Sequence, residues 1–120
     1  MKHLAGLLLL FASSAFSQTV TYTCKFPTFG TPDGVKKDPK YELRFVVDRS
    51  AHKAYVIGNT GSSEVDMLPN GYGISFLETS ATGNIFTTTI TKDGLAVHSR
   101  HTIILKDLVP TQYYGTCITQ

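Results

Sequence analysis

Tryptophan is missing from the 120 residues of this chain, cysteine and methionine occur twice each, and charge is scarce. Charged residues make up 17% of the chain, against about 25% in an average globular domain. Binding to nucleic acid or to a membrane surface needs clustered lysine and arginine. The densest basic stretch, "GVKKDPK" at 34–40, follows the acidic residue Asp33 and is interrupted by Asp38. The formal net charge is only +2, so we expect no nucleic-acid partner.

The motifs of several catalytic classes are missing as well. The sequence contains no Gly-x-Ser-x-Gly nucleophile elbow and no glycine-rich phosphate loop. The stretch "GYGISF", 71–76, has two glycines but lacks the third glycine of a dinucleotide-binding fingerprint. We therefore expect no cofactor, and an enzyme is the less favoured interpretation.

Long hydrophobic runs are absent except at the beginning, where "MKHLAGLLLLFASSAFSQ" joins a basic start, an apolar run and small residues. This order is typical of a secretory signal peptide. The apolar run covers positions 4–12, whereas a transmembrane helix needs about 20 residues. We expect a signal peptide at 1–17, cleavage before Gln18, no membrane span, and one domain at 18–120 exported to the periplasm or the extracellular space.

The two cysteines, Cys24 and Cys117, lie near the two ends of the predicted domain. Export takes the chain to an oxidising compartment, so we predict a disulfide between them. Closing a loop of roughly 90 residues stabilises the fold by about 4.5 kcal/mol in the chain-entropy model. The spacing does not match a Cys-x-x-Cys redox or metal motif, and we expect no metal.

The rest of the sequence has no helical periodicity and alternates runs of β-branched and aromatic residues with turn residues, the pattern of an all-β protein. The predicted strands are Thr19 to Lys25, Tyr41 to Asp48, Lys53 to Gly58, Glu64 to Leu68, Tyr72 to Thr79, Asn84 to Lys92, Leu95 to Leu105 and Tyr113 to Ile118. Tight turns such as Asn70-Gly71 and Asp93-Gly94 join neighbouring strands as hairpins. The prediction is an antiparallel meander of seven or eight strands.

Two architectures cover the apolar face of such a meander, a small closed barrel and a two-layer sandwich. We favour the barrel, because the disulfide would place the first strand beside the last and remove both exposed edges. In the second predicted strand Tyr41, Leu43, Phe45 and Val47 alternate with their neighbours, so these four residues should form its inner face.

One connection, Phe26 to Pro39, is longer than compact domains usually contain. We predict a loop here, which either covers one end of the barrel as a lid or packs on itself as an Ω-loop. If it is a lid, Phe26 or Phe29 folds back onto the core, and Phe29 is a candidate binding residue.

The stretch "AVHSRHTIIL", 96–105, places two histidines and an arginine in a predicted strand. The period of two sends His98 and His101 to opposite faces, about 10 Å apart along the strand, so they do not share a metal. His101 shares its face with Val97, Ile103 and Leu105, which predicts a core position. We therefore expect His101→Ala to cost about 2 to 3 kcal/mol.

The opposite face of this strand carries His98 and Arg100. We predict that it points outward, and there Arg100→Ala should cost less than about 1 kcal/mol. If this face borders the long connection, His98 and Arg100 are candidates for binding an anionic or carboxylate group, Arg100 through its bidentate guanidinium.

Four blocks, "VVDRSAHKAYVIGNTG", "ISFLETSATGNIFTTTI", "AVHSRHTII" and "VPTQYYGTC", resemble those of a family of small, uncharacterised exported bacterial proteins. The resemblance covers nearly all of 18–120 and implies a bacterial source and export, but no activity. In layout the chain is also similar to the periplasmic C-type lysozyme inhibitors, small signal-bearing antiparallel barrels with a terminal disulfide. It lacks the tyrosine and the Lys-Gly element expected beside that family's inhibitory loop, so "SATGN", 80–84, inherits no role.

Three functions follow from these observations. The favoured one is a monomeric binding or inhibitory barrel whose partner is a small molecule or a protein of the cell envelope. The alternative is a small hydrolase or ligand-modifying enzyme that uses His98, Arg100 and Glu78, the one carboxylate near the centre of a predicted sheet face. The third is a structural protein of the envelope. A hydrogen bond between His98 and Glu78 in a cleft would favour catalysis, and a cavity at one end of the barrel would favour binding.

Overall fold

The computed structural model of the protein describes residues 18–38 and 40–120. The predicted signal peptide lies outside these residues and stays a prediction. The nine strands are β1 (Thr19–Thr31), β2 (Gly34–Lys37), β3 (Glu42–Asp48), β4 (Lys53–Gly58), β5 (Gly61–Asn70), β6 (Gly73–Thr79), β7 (Ile85–Thr91), β8 (Leu95–Ile104) and β9 (Asp107–Thr119). In the part of the chain that the structure describes, no helix has the length and hydropathy needed to cross a bilayer.

The sheet closes on itself as an eight-stranded antiparallel barrel. From β3 to β9 each strand pairs with the next, and β1 pairs with both β3 and β9. The remaining strand, β2, pairs with the last residues of β1 as an extra strand. From β3 to β9 every connection is short, as in an up-and-down barrel. The predicted all-β barrel is confirmed, and the alternative of a two-layer sandwich is wrong.

The seam between β1 and β9 carries the disulfide. Cys24 lies opposite Cys117 in the register of the two strands, and their side chains are bonded, as predicted. Beyond this pair the register shifts between Lys25 and Thr28, which marks a β-bulge in β1. Gly115 faces the bulge, and a Cβ atom at this position would collide with the carbonyl oxygen of Lys25. Only glycine lets the two backbones come this close.

The core fills the barrel from its middle to one end. On β3 the inner side chains Leu43, Phe45 and Val47 are buried, as predicted from their alternation. The rings of Phe45 and Phe76 stack with their centroids 4.5 Å apart, and Tyr22 meets Phe76 edge-on at 5.8 Å. Such ring pairs add about 0.5 to 1.5 kcal/mol each beyond the area that they bury.

The two ends of the barrel differ in what they carry. The connections at 49–52, 71–72 and 92–94 lie at one end, which we call the lower end. The connections at 32–33, 59–60, 80–84 and 105–106 lie at the other, which we call the upper end. The candidate functional site is at the upper end.

The stretch from Phe26 to Pro39 was predicted as a loop, and its described part, 26–38, is mostly a hairpin. β1 continues to Thr31, and a turn at Pro32 and Asp33 leads into β2. The prediction was wrong because proline and glycine were interpreted as loop signals. Pro27 lies in the bulge of β1, where a missing N–H is tolerated. Gly34, with φ of 123°, follows the turn.

A second hairpin, between β8 and β9, projects from the upper end. β7 pairs with β8 only as far as His101, and β1 pairs with β9 only as far as Gln112. Beyond these residues β8 and β9 continue with each other alone to the pair Ile104 and Asp107. The turn residue Leu105 is 95% exposed and has a φ of 60°.

Candidate functional site

The two histidines of β8 take the opposite places from those predicted. His98 is buried, with 4% of its surface exposed, whereas His101 is exposed on the outer wall. The prediction placed His101 in the core because Ile103 and Leu105 share its face. Those two residues belong to the projecting hairpin, and both are exposed. The inner face of β8 therefore carries Ala96, His98 and Arg100, not His101.

His98 is fixed by two hydroxyl groups and a set of rings. Its Nδ1 lies 2.6 Å from Oγ1 of Thr88, and its Nε2 lies 3.4 Å from the hydroxyl of Tyr41. A neutral imidazole has one donor and one acceptor nitrogen, and each hydroxyl can take either role, so both bonds are satisfied together. Four aromatic rings lie with centroids within 6.3 Å of the imidazole: Phe26, Tyr41, Phe86 and Tyr113.

Burial makes His98 a poor base. It lowers the pKa of the imidazole to about 4, and the nearby charge of Arg100 acts in the same direction. His98 is therefore neutral at physiological pH and belongs to the hydrogen-bonded floor of the site. Burial also raises the pKa of Tyr41 to about 12, so its phenol keeps its proton.

A cavity of about 380 Å³ opens at the upper end above this floor. Such a volume lies within the range of sites for small ligands, about 300 to 1,000 Å³. The lining comes from β3 to β8 and the β4–β5 hairpin: Tyr41, Leu43, Val56, Gly58, Asn59, Thr60, Gly61, Ser62, Ser63, Glu78, Phe86, His98 and Arg100. The lining from Gly58 to Ser63 is backbone, amide and hydroxyl groups, whereas β6 and β8 carry the charged side chains Glu78 and Arg100.

Three side chains form a row across neighbouring strands in this cavity. Glu78 on β6 lies opposite Phe86 on β7, which lies opposite Arg100 on β8. The guanidinium carbon of Arg100 lies 5.1 Å from the centroid of the Phe86 ring, a cation–π contact. An aromatic side chain thus occupies the position between the acid and the base.

Glu78 is half-buried in the same wall. Burial raises the pKa of its carboxyl above the usual range, while a hydrogen bond from Ser63 and the charge of Arg100 act to lower it. Removing a carboxylate from water has a cost that these two groups only partly offset.

The structure brings three of the sequence-predicted residues, His98, Arg100 and Glu78, to one cavity. Phe29 takes another place, because it stacks on Tyr113 at 5.0 Å and Tyr113 stacks on Tyr41 at 4.3 Å. Only Tyr41, the last ring of this stack, lines the cavity. Phe29 therefore supports the wall from behind.

Sequence reasoning missed Ser63 and Phe86. Ser63 was missed because β5 was predicted to begin at Glu64. The alternation of Phe86 with Thr88 and Ile90 in the predicted strand places these three residues on one face. Thr88 and Ile90 are buried, so this face points inward.

Neither a metal cluster nor a known relative assigns a chemistry to this cavity. Among residues 18–38 and 40–120, the structure groups no three His, Cys, Asp or Glu side chains in a way that would hold a metal ion. Comparisons of the chain with protein-family models, with curated proteins and with solved structures find no match. The geometry of the cavity is therefore the basis for a function.

Proposed function

We propose that this protein binds a small ligand in the cavity at the upper end of the barrel, with Arg100 as the anchor for a carboxylate or similar anionic group. The observation that carries the proposal is a half-buried guanidinium in the wall of a cavity of about 380 Å³. The planar guanidinium matches a carboxylate with two parallel hydrogen bonds. The cation–π contact with Phe86 holds the guanidinium carbon of Arg100 over the ring, 5.1 Å from its centroid.

The arrangement of His98 supports binding over catalysis. A general base needs a pKa near the working pH and a free nitrogen directed at the substrate. The pKa of His98 is about 4, and its two nitrogens face Thr88 and Tyr41. A hydrogen bond between His98 and Glu78 would favour catalysis. The ring nitrogens of His98 face two hydroxyl groups instead.

The disulfide supports a place outside the cytoplasm. Disulfides such as Cys24–Cys117 form and persist in oxidising compartments. We infer that the protein works as an exported monomer, in the periplasm or the extracellular space. Its predicted signal peptide and its resemblance to a family of small exported bacterial proteins agree with this inference, and both stay predictions.

Titration of the ¹⁵N-labelled protein with sodium propionate tests the anion site. We expect saturable shifts of the amide signals of Gly58, Gly61 and Arg100, because these residues line the cavity. Arg100→Gln should abolish the saturable shifts. The matched control is Arg44→Gln, since Arg44 is exposed on β3 and faces away from the core. Equal binding by the two variants, or shifts confined to other parts of the barrel, would contradict the proposal.

A further inference from the structure

We propose that the ligand is a small zwitterion, with a carboxylate that binds Arg100 and an ammonium group that binds Glu78. This inference rests on the proposed function, because it assigns the second half of the same cavity. It identifies the ligand class as amino acids and related amino-carboxylates.

The spacing of the two charged side chains suits a ligand with two charged ends. Glu78 and Arg100 lie on β6 and β8, with β7 between them, and Phe86 occupies the intervening position in the row. Neighbouring strands are about 4.8 Å apart, so the two backbones are about 10 Å apart. An acid and a base that served only the fold would gain most by direct contact. Here Phe86 separates them in the row, as a ligand with two charged ends requires.

Each of the two charged groups already makes one contact in the cavity wall. The guanidinium carbon of Arg100 lies 5.1 Å from the centroid of the Phe86 ring, a cation–π contact rather than a hydrogen bond, and the guanidinium has five N–H donors. Ser63 gives the Glu78 carboxyl one hydrogen bond, and a carboxylate has about four acceptor positions. Each group therefore retains hydrogen-bonding capacity for a ligand.

The surroundings of Glu78 favour an ammonium over a hydroxyl group as its partner. The carboxyl is half-buried beside an aromatic ring, and both groups attract a cation. Burial removes the carboxylate from water. An ammonium compensates with a positive charge, whereas a hydroxyl supplies only a hydrogen bond.

The overall charge of the cavity agrees with a zwitterion. Of the side chains that line it in the described part of the chain, Arg100 and Glu78 are the ones charged at neutral pH. His98 is neutral, since its pKa is about 4. One positive and one negative group in the wall match a ligand with one charge of each sign and no net charge.

Calorimetric titrations with matched pairs of ligands test this inference. The amino-carboxylates run from glycine and β-alanine to 4-aminobutyrate and 6-aminohexanoate, and each is compared with the carboxylate that lacks the amine. We expect the best amino-carboxylate to bind about tenfold or more tightly than its partner, the effect of one charge-assisted hydrogen bond. An optimum at an intermediate chain length is expected, because the spacing of Glu78 and Arg100 is fixed.

Two glutamate variants test whether Glu78 causes the preference for the amino-carboxylate. Glu78→Gln should bind the two members of each pair with about equal affinity, and its amide spectrum should keep the dispersion of a folded barrel. The control is Glu64→Gln, since Glu64 is exposed on the adjacent strand β5; it should keep the preference for the amine.

The outcomes separate the two proposals. If wild type binds the carboxylate and the amino-carboxylate equally, the zwitterion inference is overturned and the anion site stands. A preference that survives Glu78→Gln also overturns it. If no carboxylate binds in the cavity of the wild-type protein, the proposed function and this inference both fail.

Discussion

His98 shows how a polar side chain is accommodated inside a small barrel. Its neighbour Thr88 has 2% of its surface exposed, so the hydroxyl depends on the imidazole for a partner. A buried polar group without a partner costs about 1 to 3 kcal/mol. The two residues therefore stabilise the fold as a pair, and neither can be replaced alone without loss.

The two histidines of β8 should differ sharply in their contribution to stability. At pH 7 we expect His98→Ala to lower the free energy of unfolding by about 2 to 3 kcal/mol, because it leaves a cavity and deprives Thr88 of its partner. His101→Ala, on the exposed wall, should change it by less than about 0.5 kcal/mol. Urea denaturation measures both values. A larger loss for His101→Ala would contradict the assignment of the two faces.

At acid pH the free energies of unfolding of wild type and His98→Ala should become more similar. The pKa of His98 falls from an ordinary 6.5 to about 4 in the folded protein. Below pH 6.5 the unfolded chain therefore binds a proton that the folded protein does not, and wild-type stability falls by about 3 kcal/mol as the pH approaches 4. His98→Ala lacks this group and should not show this loss. The raised pKa of Glu78 acts in the opposite direction but is present in both proteins, so the comparison isolates His98.

At the scale of the strand, the sequence predicted where strands lie along the chain better than which side of a strand faces the core. Lys53 to Gly58 was predicted with the bounds that the structure gives β4, and the inner face of β3 followed from its alternation. β8 has the same alternation, but its second half leaves the barrel. Ile103 is 60% exposed there, so its hydrophobicity does not indicate the core. Whether a strand continues beyond its neighbours depends on pairing with distant parts of the chain. The local periodicity of the sequence gives no information about that pairing.

The candidate site was partly predictable for the same reason. Arg100, His98 and Glu78 are each unusual within strands, and this drew attention to them. Their convergence depends on the register of β6, β7 and β8. Ser63 carries no such local signal, because serine is ordinary in a hairpin and becomes part of the site only when β5 pairs beside β6.

The turn of the β8–β9 hairpin should become more stable when Leu105 is replaced. A φ of 60° is unfavourable for leucine by about 1 to 2 kcal/mol, and an exposed fraction of 95% leaves little packing to lose. Asparagine tolerates this conformation, so Leu105→Asn should raise the free energy of unfolding by about 0.5 to 1 kcal/mol. Ile103→Asn, in the strand beside it, should lower it. Thermal and urea unfolding of the two variants provide the comparison, and a decrease for both would show the prediction to be wrong.

At the scale of the whole molecule, the stacked aromatic core and the cavity occupy different parts of the barrel. The stacked rings of Phe45 and Phe76 fill the interior below the site. The upper end holds the cavity, with polar groups that gain little from packing. A rigid core beneath an open cavity would hold the groups of the proposed binding site in place without a conformational change.

Removal of the disulfide should weaken the entire fold. Cys24 and Cys117 are separated by 93 positions, so the bond restricts nearly all of the unfolded chain. We expect the Cys24→Ala/Cys117→Ala double variant to lose about 4.5 kcal/mol of unfolding free energy in the chain-entropy account. Alanine avoids placing hydroxyl groups in the core. Urea denaturation under non-reducing conditions measures the change. A loss below about 1 kcal/mol would indicate that the unfolded chain gains little conformational entropy when the disulfide is removed.

The seam between β1 and β9 also sets limits on how this sequence can change over evolutionary time. Cys24 and Cys117 depend on each other, and Gly115 depends on the bulge that begins at Lys25. Outer residues can vary in a descendant that keeps the barrel, whereas a side chain at position 115 would force the first and last strands apart. A descendant that keeps this seam must therefore keep Cys24, Gly115 and Cys117 together.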